Sequence, residues 1–210
     1  MVPHQKNVRS AFTLIELLVV LGVMAIFVGV FATALRPGSP TVAVEGAQSQ
    51  LASLLTQARG VAVLKRADTR LIIHADINNP ERYLRFAGIV YWGDTNDDGE
   101  PDDWVPATDG ITLPQSVYAY GDNPAVLESG FSLAYISNDI EEYVYVSFRS
   151  NGTVSTISGE PPIVAVSSGD PDFNGGGQLT GITRNADNVR GAIIRQYGSF
   201  VLLNEPAAFP

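Results

Sequence analysis

The sequence has no cysteine, so disulfide staples, thiolate metal sites and a cysteine nucleophile are excluded. Export is not excluded, because a chain of 210 residues can bury a core that needs no covalent clamp. Histidine is scarce: there are two, His4 and His74. That leaves little for a Ser-His-Asp triad or a multi-histidine metal site. Lysine is equally rare, with only Lys6 and Lys65. The formal net charge is −9, and losing Lys6 and Arg9 with the first eleven residues takes it to about −11. An acidic body of this kind argues against nucleic-acid binding, which needs clustered cations to displace counterions. Charged residues are 17% of the chain and apolar residues 45%. These proportions suit one soluble domain together with a separate apolar segment.

That segment lies at the N-terminus. Residues 1–10 are polar and basic, and from Phe12 to Leu35 the only charge is Glu16. About 24 residues make a helix of about 36 Å, enough for a hydrocarbon core of about 30 Å. The basic flank keeps the leader cytoplasmic. A secretory signal peptide has a shorter apolar run and a small-residue cleavage site after it. Here the small residue, Ala11, comes before the run. A carboxylate inside an apolar helix costs about 2.5–3.5 kcal/mol on insertion scales. Glu16 either reaches the interface, being near the helix start, or meets a specific positive charge.

The run Ala11-Phe12-Thr13-Leu14-Ile15-Glu16-Leu17-Leu18-Val19-Val20 resembles the class III signal of type IV prepilins and type II secretion pseudopilins. The resemblance implies that a prepilin peptidase cuts between Ala11 and Phe12 and that Phe12 is then N-methylated. It implies that Glu16, fifth in the mature chain, neutralises the terminal amine of a neighbouring subunit during assembly. The family usually places Gly before the cut, and this chain has the similarly small Ala11. The partners implied are other pilin or pseudopilin subunits, the prepilin peptidase and the inner membrane. The implied location is a single pass through that membrane, with the head periplasmic or extracellular in a filament.

Arg36-Pro37-Gly38-Ser39-Pro40 should break the helix, giving a leader over 1–11, a transmembrane and assembly helix over 12–35, a linker over 36–41 and a head over 42–210. Helical periodicity resumes at about Val42. Val44, Ala47, Leu51, Leu54, Leu55, Ala58 and Ala62 form an apolar stripe, with Gln48, Gln50, Gln57, Arg59 and Lys65 mainly on the other side. Strands are expected over 71–74, 83–92, 143–148, 163–166 and 193–203. Ser150-Asn151-Gly152-Thr153 reads as a hairpin with a type I′ turn, and also matches a glycosylation sequon. The Gly-, Asp- and Asn-rich stretch 168–190 reads as a long mobile loop. The expected fold class is α+β: a long N-terminal hydrophobic helix, then an amphipathic helix packed on an antiparallel β-sheet head. The helical segment 50–66 with its following strand, and Phe148-Arg149-Ser150-Asn151-Gly152-Thr153, resemble the GspH/FimT subfamily of minor pseudopilins. That implies a subunit present in few copies that helps initiate a pseudopilus or pilus.

Residues 94–103 contain D-x-N-x-D-G, the first half of an EF-hand-type loop. Asp94, Asn96 and Asp98 would bind Ca²⁺ through side chains and Glu100 through its carbonyl, with Asp102 or Asp103 completing the shell. Val105 stands where the bidentate Glu would be. The other reading is a solvated acidic hairpin tip between Trp92 and Trp104.

Two classes of function follow. One is a structural assembly subunit. The other is a membrane-anchored extracellular binding protein, an adhesin or a DNA-uptake pilin, that uses the 94–103 or 168–190 loops on a calcium-stabilised head. A basic stripe among Arg149, Arg184, Arg190 and Arg195 would favour DNA. No carboxylate pair is marked out by its context, so an enzyme is not expected.

Overall fold

The computed structural model describes residues 14–34, 39–120, 127–135, 139–155 and 159–205. It divides into two compact units, Met1–Gly38 and Ser39–Pro210. Ala11, Phe12 and linker residues 36–38 lie outside the described residues.

In the first unit, α1 (Leu14–Ala34) is apolar on every side, with Glu16 in its first turn. All side chains described along it, from 14 to 29, are exposed. A helix apolar all round has no preferred face to bury, unlike a surface helix of a globular domain. The described side chains cover about 24 Å of helix axis. Among the described residues no helix is long and apolar enough to cross a membrane.

The second unit begins with α2 (Pro40–Lys65), two residues earlier than the periodicity suggested. Ser39 is the N-cap, its hydroxyl facing the Val42 N–H at 3.5 Å, and Pro40 follows at the first turn. Proline fits there because its missing N–H would have no helical partner. Arg66 ends the helix in the left-handed conformation, at φ 53°.

Among the described residues ten strands follow: β1 (Thr69–His74), β2 (Phe86–Gly93), β3 (Asp103–Pro106), β4 (Ile111–Thr112), β5 (Val117–Ala119), β6 (Glu128–Leu133), β7 (Glu141–Phe148), β8 (Ile163–Phe173), β9 (Leu179–Ile194) and β10 (Phe200–Leu203). They form two antiparallel sheets, β3-β2-β1-β7-β6 with β4 also on β2, and β10-β9-β8-β5. The α+β class expected from the sequence is the one observed.

The stripe Val44, Ala47, Leu51, Leu54, Leu55, Ala58 and Ala62 is buried. It packs against Leu71, Ile73, Ala87, Ile89, Val144, Val146 and Phe148 of the larger sheet and Val164, Val166, Ala192 and Ile194 of the smaller. The alternate residues Ile72, Phe86, Val90 and Tyr143 face away from α2 into a second cluster. The centre of β1, Leu71-Ile72-Ile73, is therefore apolar on both faces, because both are covered.

Five expectations need correction. The stretch 168–190 is no loop: most of it belongs to β8 and β9, paired from Gly169↔Arg184 to Phe173↔Leu179. Only the tip turns, where Asn174 Oδ1 accepts from the N–H groups of Gly176 and Gln178. The expected strand 193–203 is broken by a turn between β9 and β10. The strand expected from 83 starts at Phe86, because Leu84 takes a φ of 53° in the preceding turn. The 150–153 turn is not type I′, which needs positive φ at both central residues. Gly152 has φ 77° but Asn151 does not join it, and Gly152 N–H donates to the Arg149 carbonyl at 2.7 Å. This is a three-residue loop with a glycine bulge. Finally, Gln48 is buried, its amide donating to the carbonyls of Gly191 (2.8 Å) and Leu203 (3.0 Å).

Candidate functional site

Three places in the chain carry polar groups in unusual settings. The first is Glu16, exposed in the first turn of α1. The positive end of the helix dipole lies there and favours a carboxylate locally. Leu14, Ile15, Leu17 and Leu18 beside it are each more than half exposed. It is an acid on an otherwise oily rod.

The second is the turn between β2 and β3. Each of its predicted side-chain ligands is bent back onto the chain. Asp94 accepts from Asn96 N–H (3.1 Å) and Gly99 N–H (2.6 Å), Asn96 Oδ1 from Asp98 N–H (3.0 Å), and Asp98 Oδ1 from Glu100 N–H (2.8 Å). Gly99 takes φ 91°, a conformation costly for any residue with a Cβ. Asp102 is engaged otherwise: both its oxygens accept from Thr95, and the Thr95 backbone N–H holds its carboxyl below the usual range. Among the described residues no three His, Cys, Asp or Glu side chains converge as a metal site. The set expected from the sequence differs in needing Asn96 and the Glu100 carbonyl.

The third was not anticipated from the sequence. On the face of the larger sheet away from α2, His74 is fully buried. Its Nε2 lies 3.4 Å from Glu141 Oε1. Glu141 pairs with Arg82 and accepts from Tyr143 OH (3.0 Å) and Asn79 (3.1 Å). Burial pulls the His74 pKa down, only partly opposed by the Glu141 charge. Burial pushes Glu141 up, but hydrogen bonds from Tyr143 and Asn79 and the charges of Arg82 and His74 outweigh it. The net result is a carboxyl below its usual range. The cluster is a structural plug on the face opposite α2: Glu141 accepts from Arg82, Tyr143 and Asn79, while neither buried ring nitrogen of His74 makes a hydrogen bond among the described residues.

The rest of that face is closed by aromatic rings. Trp92–Trp104, Trp104–Phe131 and Phe131–Tyr145 meet edge to face at 5.5, 5.6 and 5.5 Å. The Arg70 guanidinium sits 4.1 Å from the Trp104 and Tyr145 ring centroids and 4.5 Å from that of Phe131. Alternating aromatics on β7 were a readable signal for this. Their union with Arg70 and β6 was not, because the pairing is long-range.

The stripe that would have favoured DNA is not available as such. Arg190 bonds Glu45 (3.2 Å) and the Asn204 carbonyl, and Arg184 donates to the Ala119 carbonyl (3.3 Å) and lies over Tyr120.

In the chain, an exposed apolar helix bearing one acid near its start precedes a self-contained α+β head. Residues 6–32 match the prokaryotic N-terminal methylation motif. No curated protein sequence matches the chain. Among solved structures it is similar to the minor pseudopilin EpsH from the type 2 secretion system of Vibrio cholerae. That likeness has a TM-score of 0.42 at 15% identity, covering 77% of this chain and 96% of that one. It is also similar to the type IV minor pilin FimU of Pseudomonas aeruginosa, with a TM-score of 0.38 at 15% identity over 82% of this chain and 96% of that one.

Proposed function

We propose that the chain is a minor subunit of a type IV pilus or type II secretion pseudopilus, held in the inner membrane by residues 12–35 before assembly. The methylation motif over residues 6–32 carries this reading. A motif cut at Ala11 and methylated at Phe12 leaves Glu16 near the new amine of a neighbour, and a carboxylate in an apolar environment is stable only with such a partner. The other partners are then pilin-type subunits and a prepilin peptidase. Mass spectrometry of the chain from its native host should find Phe12 as a methylated N-terminus. An intact Met1, or a cut beyond residue 30, rejects the reading. Glu16→Ala should insert into membranes normally, since losing the charge makes insertion cheaper. It should enter filaments poorly, as measured by crosslinking.

A second reading adds Ca²⁺ to the β2–β3 turn, on a head that works as an extracellular binding module. Its support is the inward bend of Asp94, Asn96 and Asp98 about Gly99. Hard oxygen donors suit calcium, and without a bidentate Glu the affinity should be weak, in the range of about 10⁻⁴–10⁻³ M. Calorimetry on the head should show heat at millimolar calcium that Asp98→Ala abolishes. No heat, or the same heat in the variant, leaves only an acidic turn.

A further inference from the structure

The head is acidic, yet its uncommitted cations are sorted to one end. Arg70 is caged by aromatic rings, Arg82 pairs with Glu141, and Arg85 and Arg184 donate to the carbonyls of Leu113 and Ala119. Arg190 pairs with Glu45. The other cations among the described residues, Arg59, Lys65, Arg66, Arg149 and Arg195, are all exposed, and of these Lys65 lies over the Tyr91 ring at 5.1 Å. They lie on the C-terminal part of α2 and on two turns beside it.

Those turns are built alike. In Arg149-Ser150-Asn151-Gly152-Thr153 the Gly152 N–H donates to the Arg149 carbonyl (2.7 Å) and the Arg149 N–H to the Thr153 carbonyl (2.8 Å). In Arg195-Gln196-Tyr197-Gly198-Ser199 the Gly198 N–H donates to the Arg195 carbonyl (2.8 Å) and the Arg195 N–H to the Ser199 carbonyl (2.7 Å). Both glycines have positive φ, 77° and 72°. The turns touch, with Val154 N–H donating to the Gln196 carbonyl at 2.9 Å. A Cβ on Gly152 would meet Val63 and Arg59, and one on Gly198 would meet Arg59 and the Gly152 carbonyl. Arg59 thus lies over both glycines, while Asp68 accepts from Ser150 N–H (3.1 Å) and ties the end of α2 to the first turn. Apolar groups surround the cations: Leu64 is 81% exposed and Tyr197 74%. A helix end needs neither an outward Leu nor two matched arginine turns for its own stability.

We propose that this end of the head docks an acidic, partly apolar segment of a partner protein subunit. Charge complementarity selects an acidic partner, and exposed Leu64 and Tyr197 favour a protein over a bare polyanion, since interface cores combine aromatic and apolar contacts with Arg. Duplex DNA would meet the repulsion of a body near −11. This deepens the subunit reading by naming a contact surface, but its test uses no filament, so either can fail alone. The head Ser39–Pro210 carries its own core and contains all the residues concerned.

Fluorescence anisotropy should follow the head binding a labelled peptide that alternates Glu with Leu and Phe, compared with polyglutamate and with a short DNA duplex. The mixed peptide should bind most tightly and weaken with salt. The Arg149→Gln/Arg195→Gln pair should lose about tenfold in affinity, and Leu64→Ser several-fold, with circular dichroism unchanged. No binding at millimolar peptide, or equal binding by the variants, overturns the proposal. Tighter binding of the duplex overturns it in favour of nucleic acid. If the arginine pair misfolds, Leu64→Ser together with the salt dependence decides.

Discussion

Leu55→Asp should unfold the head. Leu55 sits on α2 at 1% exposure, in the core that α2 shares with both sheets. Truncating a core leucine alone costs about 2–5 kcal/mol. A carboxylate placed there must also be desolvated without a partner or take up a proton, at several kcal/mol more. Domains are stable by only about 5–15 kcal/mol, so this substitution consumes most or all of that. Gln50→Asp, on the exposed side of the same helix, should stay within about 0.5 kcal/mol. Thermal melting of the head by circular dichroism separates the two. A Leu55→Asp variant that melts like its parent means that α2 packs in another register.

Acid should loosen the head in two steps, through the His74–Glu141 cluster. His74 has a pKa below 6.5 when folded, because it is buried. Below pH 6.5 the unfolded chain therefore binds a proton that the folded one does not, and stability falls with pH. Glu141 is held below 4.5, so its contribution is complete above that value and is lost as pH falls through the folded pKa. Both slopes have the same sign. The groups facing His74 are Glu141, Arg82, Asp76 and Tyr143. His74→Phe keeps an edge-to-face contact with Tyr143 and should flatten the first slope. Glu141→Gln should flatten the second and cost about 2–4 kcal/mol at neutral pH, since it leaves Arg82 without its carboxylate. Melting temperatures measured from about pH 2 to pH 8 test both. A head equally stable at pH 5 and 7.5 removes His74 from the account.

The third polar site and the meeting of the two arginine turns were invisible in the sequence for one reason. His74, Arg82 and Glu141 are spread over nearly seventy positions, and Arg59, Arg149 and Arg195 over more than a hundred. Only strand pairing brings them together. The 94–103 turn was legible because all its oxygens lie within ten residues, and the Asx bends that form there are local.

By itself the sequence determined what depends on near neighbours along the chain. The N-terminal motif is a run of adjacent residues. The buried stripe of α2 follows from a 3.6-residue period. β1 and β7 carry enough β-branched and aromatic residues to declare themselves. The tertiary structure alone decided the rest. Residues 168–190 are poor strand formers, yet most of them are strand, because β8 and β9 supply each other's backbone partners and Thr183 Oγ1 donates to Asp172 at 2.7 Å across the ribbon. Gln48 looks like a surface amide until Gly191 and Leu203, about 150 positions away, present carbonyls to it. A hydrogen-bonding group or a strand edge is satisfied by whatever lies beside it in space, and sequence distance carries no record of that.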